Sequence, residues 1–84
     1  SYLSVVPELV LEVRSPGNRM SDLMEKVAEY LRAGVTVVVV LDPESRTAQV
    51  FREDAPVQVL AGDDELMLPD ILEGFRTPVS RFFE

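Results

Sequence analysis

Apolar and polar residues alternate from Glu8 to Arg14, putting Leu9, Leu11 and Val13 on one face of an extended segment and Glu8, Val10, Glu12 and Arg14 on the other. Pro7 suits the start of such a strand because it lacks a backbone donor. Ser15-Pro16-Gly17-Asn18 has the composition of a turn. From Arg19 to Ala33 the period changes: Met20, Leu23, Met24, Val27, Tyr30 and Leu31 recur at three and four, the stripe of an amphipathic helix. Gly34 stands where a left-handed cap would end that helix. Val35 to Leu41 is mostly β-branched and apolar on both faces, as expected of a strand covered on both sides. Strand 8–14, helix 19–33 and strand 36–41 therefore predict a right-handed βαβ unit with parallel strands. Asp42-Pro43-Glu44-Ser45 reads as a turn, Thr47 to Arg52 as the returning antiparallel strand, and Val57 to Leu60 as a short edge strand. Gly62 to Glu65 reads as an exposed acidic loop. Leu66 to Glu84 is expected to form short helical turns that lay Leu68, Ile71, Leu72, Phe75, Val79, Phe82 and Phe83 back on the sheet. The fold class is α/β, a mixed sheet in a single domain.

Length and composition narrow the chemistry. Eighty-four residues with 46% hydrophobic side chains support one core and no second domain. No apolar run approaches the roughly 20 residues of a membrane-spanning helix. Cys and His are both absent, which removes disulfide frameworks, imidazole or thiolate metal sites, and Ser-His-Asp or Cys-His nucleophiles. Carboxylate, Lys, Arg, Tyr and hydroxyl groups remain. The net charge of −7 comes from 15 acidic and 8 basic residues, with ten of the acids beyond residue 34. The chain begins with Ser1 and shows no signal-peptide pattern, so it reads as a piece of a longer cytoplasmic protein.

Glu8 and Glu12 share a strand face, but four residues separate their Cα atoms by roughly 13 Å, too far to share one ion. A metal held by Glu12 needs a carboxylate from a neighbouring strand or from outside the segment. Read on their own, both acids more simply line the wet face of an amphipathic strand. Lys26 lies on the flank of the helix stripe, near Tyr30 and Arg19, from where its stem can run along the sheet and bring the ammonium to the strand edge. An ordinary i, i+4 pair with Asp22 would explain it as well. Asp42 is either a turn-former before Pro43 or a carboxylate at the end of the second parallel strand.

Several of these stretches together resemble one family. Val6-Pro7-Glu8-Leu9-Val10-Leu11-Glu12-Val13, Ser15-Pro16, Asp22 with Lys26 and Tyr30, Ala33-Gly34-Val35, Val40 to Glu44 and Leu72 to Pro78 occur in the order and at the spacing of the Uma2 family. These are bacterial proteins regarded as restriction endonucleases of the PD-(D/E)xK superfamily. The resemblance implies a restriction-endonuclease-like core, of which this chain would be the C-terminal portion. It implies a divalent metal, Mg2+, held by carboxylates on adjacent strands, DNA as substrate, and phosphodiester hydrolysis. Glu12 matches the family's metal-binding Glu, and Lys26 the Lys on the following helix. Glu8 stands where the family usually has Asp, and Glu8, Arg14 and Tyr30 are accessory candidates. Arg14 makes Glu12-Val13-Arg14 an E-x-R string at a place where relatives mostly carry an apolar residue. The family's earlier Pro-Asp strand has no counterpart in these 84 residues, so the chain alone is expected to be inactive. The competing expectation is a non-enzymatic interaction module that keeps the fold. An incomplete sheet would expose an unpaired edge, so a homodimer is expected.

Overall fold

In a computed structural model, residues 5–84 are described. Strand β1 (Leu9–Val13) leads into helix α1 (Met20–Arg32), which returns the chain to β2 (Val37–Asp42). β1 and β2 pair in parallel, Leu9 opposite Val37 through Val13 opposite Leu41. β3 (Thr47–Arg52) and β4 (Ala55–Ala61) follow as antiparallel neighbours, giving the sheet order β1-β2-β3-β4. The βαβ unit and the hairpin after it agree with the sequence expectation, and among the described residues β1 and β4 are the outer strands.

All six residues of β2 are buried, as its two-sided apolar composition requires. Val38 and Val40 pack under α1 with Leu23, Val27 and Val35, joined by the partly buried Val10, Tyr30 and Phe51. Val37, Val39 and Leu41 face the other way, into a second cluster with Ala48, Val50, Leu66, Leu68 and Val79. Tyr30 lies close to a firm helix end. Gly34, at φ 104°, lets the Val35 amide donate to the Tyr30 carbonyl and its own amide to the Leu31 carbonyl. At the other end Asn18 does not cap α1; its side chain accepts the Ser15 amide and ties the preceding turn.

The structure departs from the sequence expectation in two places. Residues 66–84 were expected as helical turns. Instead β5 (Glu65–Met67) and β6 (Arg76–Pro78) form a two-stranded antiparallel sheet, and only Val79–Phe83 winds into a short 3-10 helix, α2. The second departure is on β1, whose Leu11 and Val13 are 50% and 55% exposed. The second cluster reaches Leu9 but not these two. Alternation identified their face correctly, but on the edge strand that face is left largely uncovered.

Candidate functional site

Parallel pairing gathers the C-terminal ends of β1 and β2 at one side of the sheet, and strand parity selects which side chains meet α1 there. Val10 packs under α1, so Glu12, two residues on, emerges on the same face. Lys26 and Tyr30 are four residues apart on α1 and therefore present neighbouring side chains to it. Lys26 Nζ donates to Glu12 Oε1 at 3.2 Å, and Tyr30 Oη donates to Oε2 at 3.0 Å. The carboxylate is thus held at both oxygens. Lys26 spans back to the strand and forms no pair with Asp22 among the described residues. Asp22 instead lines a small cleft of about 70 Å³ with Glu12, Asn18, Leu23 and Lys26.

The two donors respond to the carboxylate between them. The hydrogen bond to Glu12, reinforced by its charge, raises the Lys26 ammonium above the ordinary lysine value, so it stays protonated at neutral pH. The Tyr30 hydroxyl's own hydrogen bond to Glu12, with some desolvation, raises the Tyr30 phenol.

Arg14 continues along β1 on the α1 face, and its amide donates to the Leu41 carbonyl at 2.9 Å. Its guanidinium reaches the end of β2, where Nη1 meets Asp42 Oδ2 at 3.0 Å. Asp42 Oδ1 accepts the Glu44 amide at 3.0 Å, an Asx turn that starts the β2–β3 connection. Burial alone would push the Asp42 carboxyl up. Arg14, the Glu44 amide and Ser45 outweigh it and hold the group below the usual carboxylate range. A cleft of about 290 Å³ opens beside this pair, lined by Arg14, Ser15, Pro16, Asp42, Pro43 and Glu44.

Glu12, Lys26 and Tyr30 therefore converge, Arg14 stands next to them engaged with Asp42, and Glu8 is exposed at the start of β1, away from all of them. The Arg14–Asp42 pairing was the contact missed from sequence, although both residues were noted. Its signal was present: parallel strands set one residue after Val13 beside one residue after Leu41. Among the described residues no group of three or more acidic side chains could hold a metal ion. Glu12 has the donor oxygens for one ligand position, and the described residues do not complete a set around it.

Comparison with known proteins agrees with this architecture. The structure of a protein from Anabaena variabilis, described as "a putative nuclease belonging to DUF820", superposes with a TM-score of 0.84 at 19% sequence identity. The match covers 94% of this chain and 45% of that one, so the chain spans under half the length of that neighbour. At that identity the likeness establishes a shared nuclease-like fold. No curated protein matches by sequence. No helix among the described residues is long and apolar enough to cross a membrane. The sequence model of Uma2, described as "Putative restriction endonuclease", matches residues 1–80, and the chain belongs to the Uma2 family.

Proposed function

We propose that the chain carries part of the active site of a Mg2+-dependent endonuclease that hydrolyses DNA phosphodiester bonds, with Glu12 and Lys26 in the catalytic roles. The observation that carries this reading is the convergence of Lys26 and Tyr30 on the two oxygens of Glu12 at the end of a parallel strand. Restriction-endonuclease-like families generally use divalent metals. Glu12 would hold one, and a bound ion would supply charge to a phosphoryl oxygen and acidify water.

The remaining tasks fall to side chains. Phosphodiester hydrolysis forms one P–O bond to water as the bond to the leaving oxygen breaks, with negative charge building on the phosphoryl oxygens. Lys26 suits that charge. Its raised pKa keeps it an ammonium, so it donates hydrogen bonds to phosphate or to the incoming water and does not abstract a proton. Its side chain is 53% exposed, free enough to leave Glu12 for a phosphate. Tyr30 keeps the Glu12 carboxylate oriented when Lys26 moves.

The test is plasmid cleavage with Mg2+ or Mn2+, comparing the wild-type full-length protein with Glu12→Gln and Lys26→Met. Each variant is expected to lose at least 100-fold in rate, the scale of removing one charge-stabilising group, while circular dichroism stays unchanged. Wild-type rates from either variant remove that residue from the mechanism. The net charge of −7 favours a second reading, an interaction module that keeps the fold without cleaving. Metal-independent failure of the full-length wild type to cut or bind DNA would support it.

A further inference from the structure

The loops that follow β1 and β2 enclose a cleft beyond the Glu12 site. It opens outside the C-terminal ends of two parallel strands, the place where α/β sheets usually take ligands. Its volume of about 290 Å³ is close to the lower limit of small-molecule sites and suits a base or nucleoside, not a stretch of duplex. Both walls are braced before any ligand arrives. On one side the Asn18 amide donates to the Ser15 carbonyl at 2.9 Å and the Ser15 amide to Asn18 Oδ1 at 3.0 Å, closing the turn that holds Pro16. On the other, Asp42 Oδ1 accepts the Glu44 amide across Pro43. Walls fixed in this way lose little freedom on binding.

The lining decides the ligand. Arg14 brings one positive charge, Asp42 and Glu44 two negative ones. A phosphate placed there would meet two carboxylates for one guanidinium and is disfavoured. A metal ion is no better served, because Asp42 engages one oxygen with Arg14 and the other with the Glu44 amide, leaving only the Glu44 carboxylate to ligate. A flat, uncharged ring fits instead. Pro16 and Pro43 supply apolar surface from opposite loops. Arg14 is pinned through Nη1 alone, at 3.0 Å from Asp42 Oδ2, so its guanidinium is held in place while its other N–H groups have no partner among the described residues. The exposed Glu44 side chain supplies two acceptor oxygens side by side.

Among the bases guanine answers this set most fully. Its N1–H and N2 amino group are adjacent donors for a carboxylate, and its O6 and N7 are acceptors for an arginine. Cytosine and adenine present an amino group beside a ring acceptor, and thymine a single imino donor between two carbonyls, so none of them satisfies both Glu44 oxygens. We infer that this cleft is a subsite for an unpaired or extruded guanine base, held between Pro16 and Pro43, with Glu44 taking its donors and Arg14 its acceptors. Arg14 follows Glu12 by two residues on the same strand face, roughly 7 Å on. The base therefore belongs to a nucleotide beside the bond at the Glu12–Lys26 pair, a placement that, unlike the base preference, rests on the proposed nuclease reading.

Calorimetric titration of the four deoxynucleoside monophosphates into the metal-free full-length protein reads the preference without cleavage. dGMP is expected to bind once per chain and about tenfold tighter than the other three, the scale of one good bidentate contact. Inorganic phosphate in excess should not displace it. Glu44→Gln keeps the backbone amide that closes the Asp42 turn but offers one donor and one acceptor. It should lose the guanine advantage and shift toward adenine, whose edge has that pattern. In cleavage of oligonucleotides, wild-type cuts should fall beside unpaired guanines, and Glu44→Gln should lose that preference. Equal affinity for all four, displacement of dGMP by phosphate alone, or an unchanged preference in Glu44→Gln overturns the inference. Guanine binding in a protein that never cuts would uphold the base site and remove the nuclease reading; cutting beside any base, with no dGMP binding, would do the reverse.

Discussion

Glu12 and Asp42 lie on adjacent parallel strands, on the same face and near the same end, and each meets one cation. Their surroundings differ. The Asp42 side chain is 7% exposed and its Arg14 partner 28%, while Glu12 and Lys26 are 20% and 53% exposed. Asp42 spends both oxygens within the framework, one on Arg14 and one on the Glu44 amide that starts the β2–β3 turn. Among the described residues Glu12 is held by two side chains from α1, one of them mostly in water. The inner pair fixes where β1 and β2 end. The outer pair can be opened at little cost to the fold, which is the property a binding group needs.

Breaking the inner pair should therefore give the largest stability effect. Asp42→Ala removes the turn acceptor and leaves Arg14 without its partner. Because Arg14 keeps some contact with water, the loss should fall below the 3–5 kcal/mol of a fully buried pair, at about 2 kcal/mol in urea unfolding. A loss no larger than that of Glu12→Ala would erase the distinction. Acid sharpens the same comparison. The folded-state pKa of Asp42 is depressed, so its contribution is complete above the unfolded carboxylate value near 3.9 and disappears as pH falls through the lower folded value. Asp70, lowered by its hydrogen bonds from Arg52, behaves in the same sense. Stability of the wild type should then fall steeply below about pH 4, and Asp42→Asn should flatten that fall without abolishing it.

Salt is a milder probe. Lys26→Met should leave the melting temperature close to the wild-type value at any ionic strength, since exposed pairs contribute little and are screened. A pronounced, salt-sensitive drop would mean that the outer pair is structural after all.

The βαβ unit was legible because each part had its own local signal: alternation in β1, a three-and-four stripe in α1, and unbroken β-branched residues in β2. The approach of Lys26 and Tyr30 to Glu12 agrees with the same periodicities but was not fixed by them, because helix spacing alone left Lys26 equally able to pair with Asp22. The C-terminal segment had no comparable signal. Glu65–Met67 and Arg76–Pro78 are three residues each, too short for periodicity, and they are strands only because they pair across an intervening loop. Leu11 and Val13 show a related limit, because alternation tells which residues share a face but not how far the opposing layer extends over it.

The smallest effect is expected at Tyr30. Its hydroxyl supplies one of the two hydrogen bonds on Glu12, while its ring packs under α1 with the Val38 and Val40 cluster. Tyr30→Phe keeps the ring and removes only the donor, so unfolding free energy should change by less than about 1 kcal/mol. If the hydroxyl only fills a surface hydrogen bond, cleavage should be unaffected. If it positions Glu12, the rate should fall several-fold while the dependence on metal concentration shifts upward, because a carboxylate free to rotate must be ordered again on binding. Tyr30→Leu, which also removes the ring contact, should cost more stability without a larger shift in metal dependence. Separate movement of those two readouts would mark Tyr30 as the point where the open pair is tied to the core.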